Sequence, residues 1–261
     1  MAEVSRPGSD GIARKVVPAM AMVGFFVAWE VLQRLTGYPP EFIAPLPSEV
    51  LLFTVEKWQF LMGHLFVTLC EAGAGFVLGN VLAVGLAVAS IYNREVERAI
   101  MPFALALRSI PLIAITPVLI FLLGMGWESK VAVAVLVSFF PTLVNMVVGL
   151  RSVDHRLIEL MHVLNASWWQ VLVRVRLPSS WPSFFAALKI AVPSSFLGAA
   201  VAEWINASAG IGYLIIISTY QFNTVQLYAT MFISTAVSAL AYTAIVWLEG
   251  RWLPWRRYLP G

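Results

Sequence analysis

Residues 151–182 read RSVDHRLIELMHVLNASWWQVLVRVRLPSSWP, a polar interruption between two apolar runs that are each long enough to cross a bilayer. A stretch in that position has to emerge on one side of the membrane. Its basic residues place that side in the cytoplasm by the positive-inside rule; they are Arg151, Arg156, Arg174 and Arg176. We therefore predict a polytopic membrane protein with a large cytoplasmic loop between two of its spans.

The first half of this loop has the pattern of a short amphipathic helix. Apolar residues recur at three- and four-residue spacing, which puts them on one stripe of a helix; they are Leu157, Leu160, Met161 and Leu164. Asp154 is a suitable N-cap for that helix, because its carboxylate can accept a hydrogen bond from a free backbone N–H of the first turn.

The second half of the loop predicts another short helix after a tight turn. Asn165 suits the turn, since asparagine enters the left-handed region more readily than other residues with a side chain. We expect the second helix to end at Leu177, because Pro178 pushes the residue before it out of the α region. Two short helices around a turn would form a compact cytoplasmic knob. The alternative is an amphipathic linker lying on the lipid headgroups, which Arg and Trp also favour.

The composition of the chain agrees with a membrane protein. Of its 261 residues, 60% are hydrophobic and 12% are charged, and the mean hydropathy is +0.82. A soluble domain carries about twice that charged fraction. The net charge of +3 comes from cytoplasmic Lys and Arg and therefore indicates topology; it is no argument for nucleic-acid binding. The single Cys70 allows no intrachain disulfide and no cysteine cluster, and we expect no metal site.

We predict an all-α polytopic membrane protein with six transmembrane helices and both termini in the cytoplasm. The spans lie at about 16–35, 64–91, 99–123, 130–150, 184–205 and 225–247. A cytoplasmic tail (1–15) precedes the membrane domain (16–250), which contains the loop 151–182, and a second cytoplasmic tail (251–261) follows it. Twelve of the 17 Lys and Arg residues fall on the proposed cytoplasmic side.

Three local features of the spans and their connections carry expectations. The charged segment from Glu49 to Phe60 should lie along the outer surface, with Ser48 as its N-cap. Gly75 and Gly79 form a small-xxx-small pattern that permits close helix approach. The third span contains Pro111 and Pro117 and should be bent.

Polar residues inside the spans are candidates for the translocation path, because such groups rarely face lipid. The candidates are Arg108, Pro111, Asn145 and Glu203. Arg108 could attract an anion, since its guanidinium suits carboxylate, sulfonate or nitrate; a structural ion pair or a position near the cytoplasmic boundary is the alternative. We expect Glu203 to pair or to cap a helix, and Lys189 to extend toward the boundary.

The loop also resembles a known motif. Glu159 is followed six positions later by Asn165 and then by Val175-Arg176-Leu177-Pro178. This spacing is similar to the EAA motif of permeases in binding-protein-dependent ABC importers, E-A-A, three residues, G, nine residues, I-x-L-P. Leu160 and Met161 replace the two alanines, and Asn165 replaces the glycine.

The resemblance extends over residues 64–257, and the chain is similar to permeases of the nitrate/sulfonate/taurine branch of these importers. The matching pieces are Leu107-Arg108-Ser109-Ile110-Pro111, FLLGMGWESK at 121–130, Phe140-Pro141, GLRSVD at 149–154, Ala202-Glu203-Trp204 and GIGYL at 210–214. Together they are specific, although none would be alone.

The resemblance implies a type I ABC importer permease fold in the inner membrane of a bacterium. Its partners would be membrane lipid, a second permease copy, an ATP-binding cassette ATPase dimer and an extracytoplasmic substrate-binding protein. Contact with the ATPase would involve Leu157, Glu159, Leu160, Met161, Leu164, Asn165, Ala166, Leu177 and Pro178. Substrates of the branch include nitrate, sulfonates, taurine, bicarbonate and pyrimidine-like or aromatic compounds.

The chain has no Gly-x-x-x-x-Gly-Lys-Ser/Thr loop to hold phosphates and no catalytic constellation. We therefore expect a transport subunit that is not itself an enzyme and carries no cofactor, with ATP and Mg bound by the partner ATPase. The alternative is a stand-alone secondary carrier or channel, for which inverted repeats would be typical; we find no convincing internal repeat.

Overall fold

The computed structural model describes residues 10–36 and 44–254, and all regular secondary structure in these ranges is helical. The helices are α1 (Asp10–Thr36), α2 (Pro47–Glu56), α3 (Trp58–Tyr92), α4 (Arg94–Ser109), α5 (Leu112–Leu123), α6 (Trp127–Arg151), α7 (His155–Val163), α8 (Trp168–Val171), α9 (Leu177–Ile205), α10 (Ile211–Tyr220) and α11 (Thr224–Trp252). A π-helical segment, Leu172–Arg176, joins α8 to α9.

Four helical stretches in the described ranges are long and apolar enough to span a membrane: α3, α6, the stretch from α8 through α9, and α11. The bent pair of α4 and α5 could make a fifth. α1 contains the predicted first span but begins at Asp10, and most side chains of its first turns are outside the described set. The tail residues 1–9 and 255–261 also lie outside the described residues.

α3, α6 and α9 form the centre of the bundle, and glycine lets α3 and α6 approach closely. A Cβ added to Gly75 would lie 2.9 Å from the carbonyl oxygen of Val131, and one added to Gly79 would lie 2.8 Å from that of Val135. The close approach predicted from the Gly75/Gly79 pattern is confirmed. Beside it, the Thr142 hydroxyl donates a buried 2.7 Å hydrogen bond to the Asn80 side-chain oxygen.

The third predicted span is two helices at 109°, a sharper break than the single bent helix we expected. The break lies at Ile110, whose backbone is extended (φ −78°, ψ 127°). This conformation is the one that a residue preceding a proline prefers, and Pro111 follows. Pro117, by contrast, lies inside α5.

The prediction that Pro178 ends a short second helix in the loop is wrong. Pro178 lies in the first turn of α9, and the helical backbone continues from Trp168 to Ile205. Just before this proline, the N–H of Leu177 bonds to the carbonyl of Leu172, a π-type bond. Such local widening is one way in which membrane helices accommodate proline. The second half of the loop is therefore the start of the next span.

One further expectation is corrected by side-chain contacts. Leu46, not Ser48, is the N-cap of α2. The Ser48 hydroxyl instead donates to the Glu30 carboxylate at 2.9 Å and ties α2 to α1. Lys189 forms an ion pair with Glu249 in the last turn of α11, and its extension toward the boundary stays a prediction.

Candidate functional site: a capped cytoplasmic helix and a central cavity

α7 is a short helix with defined hydrogen bonds at its N-terminus. The Asp154 carboxylate accepts from the N–H of Arg156 at 2.9 Å, so the predicted N-cap is confirmed. This bond satisfies one of the backbone donors that every helix leaves free at its start. The first turn of α7 thus follows closely after the C-terminus of α6 in the chain.

The other end of α7 is closed by a left-handed turn. Asn165 has φ 53°, as predicted for the residue that replaces the family's glycine. The N–H of Ala166 bonds to the Met161 carbonyl and the N–H of Asn165 to the His162 carbonyl, both at 2.9 Å. These two bonds define a Schellman motif, the commonest way to close a helix with a left-handed residue.

The next helix begins within two residues of that turn. Ser167 is the N-cap of α8, and its hydroxyl accepts from the N–H of Gln170. The Gln170 side chain in return accepts from the N–H of Ser167 at 2.8 Å, which completes a capping box. The direction of the chain between α7 and α8 is thus set by four local hydrogen bonds.

No residue of α7 is fully buried, and most of its apolar side chains are exposed. Leu157 is 47% exposed, Leu160 53% and Leu164 66%. Met161 and Ala166 are half-buried. We name the segment 154–167, α7 with its capping turns, the knob.

Beyond its turn the knob is attached to the spans. The Tyr92 hydroxyl, at the end of α3, donates to the Trp168 carbonyl at 3.2 Å, and the two rings meet edge to face. The guanidinium of Arg176 donates to the Leu150 carbonyl in the last turn of α6 at 2.9 Å. Leu172 is buried in a core cluster with Leu150. A displacement of the knob would therefore act directly on α3, α6 and α9.

Three residues of the motif, Glu159, Leu177 and Pro178, differ from the others in their contacts or position. Glu159 pairs with His155 of its own helix, with 3.1 Å between Oε1 and Nδ1. Leu177 and Pro178 belong to the first turn of α9, at the root of the span, rather than to the knob.

A cavity of about 370 Å³ lies between α4, α5, α6 and α9, and it brings together two of the predicted translocation-path residues. Arg108 at the end of α4 and Asn145 in α6 both line it, along with Ser194. The remaining lining is mostly apolar and includes Phe140, whose ring centroid is 4.8 Å from the Arg108 guanidinium. The described residues provide no ion-pair partner for Arg108.

Pro111 adjoins this cavity as the N-cap of α5, between the lining residues Ile110 and Leu112. The Asn145 amide donates to the Pro141 carbonyl at 2.8 Å, which fixes the orientation of its side chain. The cavity can therefore offer a guanidinium, an amide oxygen and an aromatic face to a small solute.

Glu203 lies elsewhere, 1% exposed, against the N-terminus of α10. Its carboxylate accepts from the N–H of Gly212 and from the Thr68 hydroxyl, the latter at 2.6 Å. A Cβ on Gly210 or Gly212 would overlap Glu203 or the backbone of Ala200, so both glycines are needed for this close fit. Glu203 thus caps a helix, and it does not line the cavity.

Sequence patterns missed several exposed residues around the knob. Val163 is 82% exposed, Trp168 61% and Trp169 57%. Val163 does not belong to the apolar stripe of α7, and the two tryptophans were assigned to the predicted second helix of the loop. Two adjacent tryptophans directly after a turn were the sequence signal that could have identified this exposed surface. Phe140 was noted only as part of a matching sequence, because nothing local shows which residue it will stack on.

Comparison with known proteins agrees with the motif. Residues 79–256 match the family described as binding-protein-dependent transport system inner membrane component. The chain is 36% identical over 241 residues to the formylaminopyrimidine transport permease protein ThiX of Halalkalibacterium halodurans, covering 92% of this chain and 96% of that one. It is 30% identical over 235 residues to the putative aliphatic sulfonates transport permease protein SsuC of Bacillus subtilis, covering 89% and 85%.

The fold is similar to that of a solved transporter. A chain from inward-facing MetNI, a methionine ABC transporter, superposes with a TM-score of 0.65 at 18% identity, covering 74% of this chain and 95% of that one. Identity at this level supports the fold alone. The fold class expected from the sequence is confirmed.

Proposed function

Because the chain belongs to the family of binding-protein-dependent transport system inner membrane components, we propose that its knob transmits ATP-driven motion from a partner ATPase to the spans. The chain is a permease subunit of an ABC importer, embedded in the membrane. This family membership favours an importer subunit over the alternative drawn from the sequence, a stand-alone secondary carrier or channel.

The observation that carries this proposal is the combination of exposure and fixed geometry in the knob. α7 has no buried residue, yet both of its ends are closed by hydrogen bonds. An apolar helix surface left open to solvent is unfavourable unless a partner covers it. Met161 and the three exposed leucines would enter a groove on the ATPase, and the Tyr92–Trp168 contact would pass the motion to α3.

The partners follow from the family. ABC permeases work with an ATPase and a substrate-binding protein, and we propose two copies of this chain per transporter. ATP and Mg would bind to the ATPase subunits, since this chain has no phosphate-binding loop. The knob and both termini would face the cytoplasm of a bacterial cell, and the membrane would be its inner membrane.

For the substrate, we propose a small planar solute of the pyrimidine type that binds in the cavity of Arg108 and Asn145. The relative named as a formylaminopyrimidine permease shares 36% identity over nearly its whole length. A mostly apolar wall with one aromatic face, one guanidinium and one amide fits a polar heterocycle. An alkanesulfonate is the second candidate, since guanidinium also pairs with that anion.

Substitution of Arg108 tests this substrate site. We expect Arg108→Ala to lower uptake about tenfold, because a hydrogen bond from a charged donor contributes on the order of 1.5–3 kcal/mol. Arg108→Lys should recover only part of it, since an ammonium cannot reproduce the planar fork. The measurement is uptake of labelled formylaminopyrimidine and of a labelled alkanesulfonate into proteoliposomes containing the whole transporter.

Arg98→Ala is the matched control, because Arg98 is on the same helix and, among the described residues, forms an ion pair only with Glu95 at the exposed surface. Near-normal uptake by both Arg108 variants would remove Arg108 from the path. A loss for the sulfonate alone would reverse the order of the two substrate candidates.

Cysteine labelling tests the topology. In a Cys70→Ala background, Ser167→Cys in the knob should resist an impermeant maleimide added to intact cells and react after the cells are opened. Gln221→Cys, at the exposed corner before α11, should react from outside. Both expectations follow from the excess of Lys and Arg in the 151–182 loop, and rapid labelling of the knob from outside would refute the topology.

A further inference from the structure

The first turn of α10 is held by side chains of two other helices. The N–H of Ile211 donates to the Thr68 hydroxyl of α3 at 2.7 Å, and the N–H of Gly212 donates to the Glu203 carboxyl of α9. Every helix begins with backbone donors that have no acceptor within the helix itself. Here α3 and α9 supply these acceptors, so the start of α10 is fixed to both.

A second carboxyl group, that of Glu71 in α3, lies within hydrogen-bonding distance of the Glu203 carboxyl. Both side chains are buried, with Glu71 4% exposed and Glu203 1%. Lys130 in α6 forms an ion pair with Glu71, with 3.7 Å between Nζ and Oε1. This separation is longer than a hydrogen bond. The two carboxyl groups therefore share the charge of one ammonium group.

The hydrogen bonds of the two carboxyl groups differ. Glu203 accepts from the Thr68 hydroxyl at 2.6 Å and from the N–H of Gly212. Oε2 of Glu71 is buried, and no N–H or O–H group of the described residues donates to it. A buried acceptor without a donor is rare in folded proteins. A proton held between the two carboxyl groups would supply the missing donor.

The charges around the pair favour one proton over none or two. With none, two negative charges would be in contact in a buried site, where their repulsion is strong. With two, the Lys130 ammonium and the N-terminus of α10, which attracts negative charge, would both face neutral groups. One proton leaves one negative charge, which Lys130 and α10 balance.

Two more titratable side chains lie beside the pair. Nδ1 of His64 accepts from the N–H of Gly210 at 3.0 Å, so the imidazole is uncharged while this bond is kept. The Tyr213 ring stacks on His64, with ring centroids 5.9 Å apart. His64 therefore adds no positive charge to that of Lys130.

We propose that Glu71 and Glu203 form a binding site for one proton, which they share, and that this proton latches α10 to α3 and α9. The proton joins the two carboxyl groups, and Glu203 in turn holds the N–H of Gly212. α10 has ten residues, about half the length that crosses a membrane. Its position therefore depends on this latch together with the apolar packing of Ile211. The inference does not depend on the substrate or on the partner subunits.

Infrared spectroscopy of the whole transporter in nanodiscs tests for the proton. A protonated carboxyl has a C=O stretching band that an ionised carboxylate lacks. We expect Glu71→Gln and Glu203→Gln each to lose the same band, because the amide donates a hydrogen of its own and the remaining carboxyl then needs no proton. The double variant should lose no more than either single variant.

Glu249→Gln is the matched control, because Glu249 is also buried but pairs with Lys189. It should keep the band. If neither single variant loses a band, both carboxyls are ionised and the proposal is overturned. Loss in Glu203→Gln alone would mean a proton that is not shared, and a doubled loss in the double variant would mean two protons. Either result also overturns the proposal.

Hydrogen–deuterium exchange of residues 208–214 tests the latch, because amide protection reports local opening. Glu71→Gln should stay close to wild type, since its amide can donate to Glu203. Glu71→Ala should raise the exchange rate about tenfold, as expected for loss of a hydrogen bond to a charged group, although Glu71 is not on α10. Equal exchange in these two variants would overturn the latch. If Glu71→Ala does not fold, exchange as fast in Glu71→Gln as in the double variant Glu71→Gln/Glu203→Ala would overturn it.

Discussion

Ala166→Asp is expected to uncouple the transporter, with the rate of ATP hydrolysis stimulated by the binding protein falling at least tenfold. Ala166 is half-buried in the turn that ends α7, and its N–H bonds to the Met161 carbonyl. A carboxylate there would lie at the negative end of the α7 dipole. It would also have to be desolvated when the knob enters a groove on the ATPase. Pull-down of the ATPase and stimulated hydrolysis, measured on the same preparations, report assembly and coupling separately.

The turn provides a matched pair for this prediction. Asn165→Gly should remain close to wild type, because both residues reach φ 53°. Asn165→Val should approach the loss of Ala166→Asp, since a β-branched residue with positive φ costs on the order of 1–3 kcal/mol. Ala166→Ser controls for size without charge. Full assembly and full coupling in both Ala166→Asp and Asn165→Val would mean that the knob is only a linker on the membrane surface.

Gly75→Ala is expected to lower the thermal unfolding midpoint of the permease by several degrees, although alanine is the better helix former. Its Cβ would press on Val131 and Ala134, where α3 meets α6. Overpacking of this kind costs about 1–3 kcal/mol, and Gly75→Leu should prevent folding altogether. Thermal unfolding of the purified permease, followed by size-exclusion chromatography after heating, measures the effect.

Gly73→Ala is the control, because it lies on the same helix with nothing within 4 Å of the added Cβ. The gain of about 0.5–1 kcal/mol in helix propensity should appear there without a penalty. Equal midpoints for Gly73→Ala and Gly75→Ala would contradict the close α3–α6 packing.

Features that depend on neighbours in the chain could be predicted from the sequence. Asp154 capping α7 and Asn165 turning out of it are both decided within about four residues. The break at Pro111 is equally local, because a proline restricts the residue before it. The apolar stripe of α7 also follows from its spacing, and its exposure agrees with a surface reserved for a partner.

Other features were decided by tertiary contacts. Pro178 was predicted to end a helix, but the helix continues through it, since buried Leu172 and the Arg176–Leu150 bond hold the segment against the core. Arg108 and Asn145 meet at one cavity only because α4 and α6 pack together. Glu203 finds its partners, Thr68 and Gly212, on two other helices. Local conformational preferences amount to a few tenths of a kcal/mol to about 1 kcal/mol per residue. A buried hydrogen bond or a packed interface outweighs these preferences wherever the fold brings distant residues together.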